Sequence, residues 1–121
     1  MNNDVSDDII FQVLRAADVL LADEKSWTKG ALARNARAGS CYPVDVGAKS
    51  FCAAGAIDKA IDTLKRKNSG WPPLPVIREH VIVHFKSACG IRSLLGIWND
   101  ATDFEHVKKA FQLAIEALWT K

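Results

Sequence analysis

Residues 6–22 read SDDIIFQVLRAADVLLA, and this stretch decides the fold class. Ser6 can cap a helix, and Asp7 and Asp8 fall in its first turn, where free N–H groups and the helix dipole favour negative charge. Ile10, Val13, Leu14, Ala17, Leu20 and Leu21 then recur at the helical period, so one apolar stripe runs along a helix over about 7–22. The same signature closes the chain. Thr102-Asp103-Phe104-Glu105 has the pattern of a capping box, and Phe104, Val107, Phe111, Ala114 and Leu118 form the stripe of a last helix over about 103–119. Between them, Pro75 suits a helix first turn, Ile77, Val81, Phe85 and Ala88 continue it to Cys89, and Gly90 ends it.

A further helix is expected from Asp45 as its cap to about Lys67, burying Ala48, Phe51, Cys52, Gly55, Ala56, Ile57, Ala60, Ile61 and Leu64. A break near Ser50 into two short helices is the alternative. Gly55 inside that helix costs about 1 kcal/mol relative to alanine, which points to close approach of another segment. Residues 25–44 fit neither period, and Pro43 excludes regular helix there, so a small hairpin or an irregular excursion anchored by Trp27 is expected. Arg92 to Trp98 reads as a short helical turn. The chain is thus expected to be mainly α, a single domain over residues 1–121 built as a bundle or array of four to five helices, with residues 1–5 disordered.

Composition agrees with a globular chain. The 121 residues are 49% hydrophobic and 25% charged, with a net charge of +2. Three cysteines, Cys41, Cys52 and Cys89, form an odd set without Cys-x-x-Cys spacing, which argues for reduced thiols and a cytoplasmic location. No leader or membrane-spanning run is evident, so no membrane partner is expected. The charge is uneven: residues 1–24 carry a net −5 and residues 25–67 a net +6. That basic segment can attract an acidic protein or a nucleic acid, or can simply be a solvated face pairing with the acidic first helix.

Three constellations could carry chemistry. His80 and His84 stand one helical turn apart, a spacing that can hold a metal ion. The set is incomplete, with His106 or an aspartate as a distant third ligand, so no metal and no cofactor is assigned. Cys52 would sit near a helix N-terminus if the helix starts at about Ser50, where the dipole favours thiolate; a histidine with Asn99 or Asp100 could then complete a Cys-His-Asn/Asp arrangement. Otherwise Cys52 is a small buried hydrophobe. Trp98-Asn99-Asp100 reads first as a structural corner before the last helix, with Asn99 and Asp100 fixing the turn and Trp98 plugging the core. Its functional alternative is a ligand-facing corner using the free amides of that helix. Phosphate-binding glycine loops, nucleophile elbows and dinucleotide fingerprints are absent from the sequence.

Trp27-Thr28-Lys29-Gly30-Ala31, Phe51-Cys52-Ala53-Ala54-Gly55-Ala56 and Trp98-Asn99-Asp100 occur in an order that resembles a family of small proteins of unknown function from bacteria and their phages. The resemblance spans about residues 9–118 and departs from the family pattern at Asn35 to Cys41. It implies no mechanism. It does imply that Trp27, Cys52, Gly55, Ala56, Trp98, Asn99 and Asp100 form one cluster, either a fold signature or a shared pocket. Two functions follow as expectations. The first is a non-enzymatic accessory module, of phage or mobile-element kind, that binds a protein or nucleic acid. The second is a small thiol enzyme or ligand-binding domain centred on Cys52 and Asp100.

Overall fold

The computed structural model describes residues 4–120, so the expectation for residues 1–3 lies outside the described residues. Of residues 4 and 5, expected to be disordered, Val5 instead packs on the edge of the core. The chain is mainly α. It runs α1 (Asp7–Leu20), a 3₁₀ turn (Glu24–Ser26), β1 (Ala33–Asn35), β2 (Ser40–Cys41), β3 (Ala48–Phe51), α2 (Ala53–Lys67), α3 (Leu74–Cys89), α4 (Leu95–Ala101) and α5 (Phe104–Trp119).

The stripes read from the sequence become the core. α1 lies against α2 and α5, and α3 lies against the same two, so four helices close a ring around one buried interior. Val13, Leu14, Ala17, Ile57, Ile61, Ile77, Val81, Phe85, Val107 and Phe111 fill it, each essentially without solvent contact. The Phe85 and Phe111 rings meet at 4.7 Å between centroids. Ser6 caps α1 by accepting from the Ile9 N–H at 3.2 Å. Gly90, with φ of 68°, ends α3 in the left-handed conformation, as its lack of a Cβ permits.

The second helix begins later than expected. Asp45 does not cap it; its carboxylate accepts from the Tyr42 N–H at 3.2 Å inside a loop. Residues 48–51 are a strand, and α2 starts at Ala53 with Cys52 as its cap. The alternative of two short helices broken near Ser50 does not hold either: a strand runs to Phe51 and one helix follows it. The expected hairpin exists: β1 pairs antiparallel with β2 and, on its other side, with β3, giving the order β2-β1-β3. Its turn is fixed by Asn35, whose side-chain oxygen accepts the Arg37 and Gly39 N–H groups. Ala38 there takes φ of 64°. Arg34 spans the sheet's outer side, donating to Thr28 Oγ1, Lys29 O and Ala38 O.

Two further corrections fall near the last helix. Asp103, not Thr102, caps α5, accepting from the His106 N–H at 2.9 Å. Trp98, Asn99 and Asp100 lie inside α4 and not in a turn, so they leave the free amides of α5 to Asp103. The acidic first helix contributes Asp18 to an ion pair with Lys108 of α5, outside the basic 25–67 segment.

Candidate functional site

The site grows from the way α4 meets the start of α2. Asn99 is the one buried polar residue among the described residues of the core, with no solvent exposure, and it uses both ends of its amide. Its Oδ1 accepts from Trp27 Nε1 at 2.8 Å and from the Ala53 backbone N–H at 3.0 Å. Its Nδ2 donates to the Thr28 carbonyl at 3.0 Å and to Asp100 Oδ1 at 3.3 Å. Ala53 is the first residue of α2, so its amide is one of the orphan donors every helix leaves at its start. Asn99 satisfies that donor from another helix. One side chain therefore ties together the 27–28 segment, α2 and α4.

Asp100, exposed on the next position of α4, accepts from the Gly30 N–H at 3.0 Å. Gly55 completes the contact. A Cβ at position 55 would overlap the carbonyl oxygen of Leu32, so only glycine lets the 28–33 strap lie on α2. The Leu32 carbonyl then receives the Cys52 N–H at 3.0 Å. The close approach inferred from a mid-helix glycine thus has a named partner.

Cys52 occupies the helix-start position that could activate a thiol, and the outcome is the reverse. Its Sγ accepts from the Gly55 N–H at 3.3 Å, which favours thiolate, but burial outweighs this and pushes the thiol's pKa up from its ordinary value. The nearby carboxylates of Asp100 and Asp58 push the same way. The three histidines each spend a ring nitrogen on another partner. His80 Nδ1 lies 2.9 Å from the Val76 carbonyl, His84 Nε2 2.8 Å from the Ala114 carbonyl, and His106 Nδ1 2.7 Å from Asp103.

Of the residues expected to cluster, Trp27, Cys52, Gly55, Asn99 and Asp100 come together around α2's start. Trp98 does not. It leaves α4 on another side, packing edge-on to Phe85 at 5.9 Å between centroids and lining a small cleft with Cys89 and His106. A one-residue step along a helix turns a side chain by about 100°, so Trp98 and Asn99 cannot share a direction. Trp27 packs on Phe104 at 6.1 Å, and Lys29 Nζ sits 5.3 Å from the Trp27 ring centre. Among the described residues no three His, Cys, Asp or Glu side chains group to hold a metal ion.

The sequence reading missed the surface over this knot. A cleft of about 350 Å³ is lined by Gly30, Ala31, Leu32, Cys52, Leu94, Gly96, Ile97 and Asp100. Leu94 is 71% exposed, Ile97 60% and Leu32 40%. The available signal was Leu94 and Ile97, three apart beside Trp98: once α4 is a helix, only one of its faces can be turned inward. The chain belongs to a family of unknown function (DUF6197), whose model matches residues 6–117. No curated protein and no solved structure matches it.

Proposed function

We propose that this chain is a non-enzymatic binding module that contacts a protein partner through the cleft between the 30–32 strap and α4. The observation that carries the reading is three large apolar side chains, Leu32, Leu94 and Ile97, standing exposed around one cleft. Contiguous exposed apolar surface is where soluble proteins bind other proteins. The walls are held still by Asn99, Asp100 and the Gly55 contact, so little order has to be gained on binding. No lysine or arginine lines the cleft, which favours a protein over a nucleic acid. Within the basic 25–67 segment, Arg34 is turned onto backbone carbonyls and Arg66 pairs with Asp62.

The thiol-enzyme reading is the weaker one, because burial raises the pKa of Cys52 and so works against the thiolate that a nucleophile needs. The buried residues from Ile10 to Ala114 form a single cluster, which supports one domain over residues 1–121. Three free thiols support a reducing compartment, the cytoplasm.

The test places a photo-crosslinking residue at Ile97, and at the similarly exposed Val19 of α1 as a control, in cells that make the protein. We expect a discrete adduct from position 97 that disappears when Leu94→Glu is added. Equal labelling from both positions overturns the reading. So does a mobility shift of DNA or RNA that fades with salt and survives Leu94→Glu.

A further inference from the structure

We propose that His80 and His84 form a two-nitrogen site for a divalent ion of the zinc, nickel and copper class. The argument is independent of the α4 cleft and starts from the helix. Side chains four apart on α3 lie one above the other, so the two imidazoles share a face. Both line one cleft of about 540 Å³, together with Ile10, Glu79, Val83 and Ser87.

The hydrogen bonds then decide which nitrogens are free. A carbonyl oxygen can only accept, so the ring atoms facing Val76 O and Ala114 O are the ones carrying protons. In the neutral rings that leaves a lone pair on His80 Nε2 and another on His84 Nδ1. Fixing one ring nitrogen on a backbone carbonyl, so that the other is presented as a base, is how proteins orient metal-binding histidines. Neither carbonyl needs a histidine. Asparagine at 80 or glutamine at 84 could donate the same bond. What those residues lack is the second nitrogen.

The chemistry selects the ion. Two imidazoles suit the borderline late divalent metals and not magnesium or calcium, which want oxygen ligands. Among the described residues no group of three His, Cys, Asp or Glu side chains is placed to hold a metal ion, so the proposed site rests on the two imidazoles.

The experiment is calorimetric titration of Ni²⁺ and of Zn²⁺ into the metal-free chain. Saturable binding of one equivalent is expected, with no response to Mg²⁺. His80→Asn and His84→Gln each keep the bond to the carbonyl and remove the free nitrogen, and each should weaken binding about tenfold or more. His80 is exposed, so its variant reports even if the change at His84 disturbs the α3–α5 contact. Absence of saturable binding overturns the proposal. So does unchanged affinity in His80→Asn, or loss of binding in His106→Asn in place of the α3 variants.

Discussion

The helical ring and the corner above it are held together by different physics. In the ring of α1, α2, α3 and α5, apolar faces meet, and no single contact defines the arrangement. Interiors of that kind accept volume-conserving exchanges at low cost. The corner, where the 27–33 strap, α4 and the start of α2 meet, hangs on one buried amide and one glycine. Hydrogen bonds made away from water are worth little net when complete and cost much when half-made. The ring is therefore forgiving and the corner is brittle.

The sharpest way to break that contrast is Asn99→Asp. The exchange preserves shape but removes the donor to Thr28 O and puts a carboxylate in a dry site beside Asp100. We expect a loss of about 3–5 kcal/mol in urea denaturation, the size of an uncompensated buried charge. A ring change such as Ile61→Val should cost only about 0.5–1.5 kcal/mol. Hydrogen exchange then locates the damage: amides of residues 28–55 should lose protection before those of α1, α3 and α5. Uniform loss across the chain would make corner and ring one cooperative unit and end the distinction.

Gly55→Ala comes next. On an isolated helix this exchange stabilises, because alanine is the better helix former. Here the added methyl overlaps the Leu32 carbonyl, so the strap must lift off α2. The expected cost is at the upper end of about 1–3 kcal/mol, measured by thermal or urea unfolding. A neutral or stabilising result would show that the strap yields freely and that the corner is softer than argued.

The same contrast explains what could be read from the chain beforehand. Periodicity reports helix faces, and so the stripes Ile10 to Leu21, Ile57 to Ile61, Ile77 to Phe85 and Val107 to Ala114 are legible in the sequence. β3 is not. Of its four residues only Phe51 is buried, and Ala48, Lys49 and Ser50 carry no alternation, so tertiary pairing with β1 overrides a helix-like composition. The link from Trp27 to Asn99 is legible only through the resemblance, since no local rule joins residues 72 positions apart. The resemblance also puts Trp98 with these residues, and the helical turn of α4 separates it. The capping box at Thr102 was off by one because Thr102 and Asp103 are both good caps, and only Asp103 has the matching geometry with His106.

The smallest effect comes from the mirror of the first exchange, Asp103→Asn. Asp103 and Asn99 do comparable work, each offering a side-chain oxygen to an amide in the first turn of a helix, one in water and one in the core. Bonds from the His106 backbone N–H and then its ring lower the Asp103 pKa below the ordinary carboxylate value. A carboxylate held low in the folded chain contributes stability above its unfolded pKa, and that contribution disappears as pH falls through the folded value. Asparagine is an equally good cap, so Asp103→Asn removes the charge and keeps the bond. Urea midpoints should then differ slightly at pH 7, with the wild type higher, and converge as the pH falls below the ordinary aspartate range. A gap that stays constant with pH would mean that the charge plays no part. A gap as large as that of Asn99→Asp would mean that burial is not what makes the corner brittle.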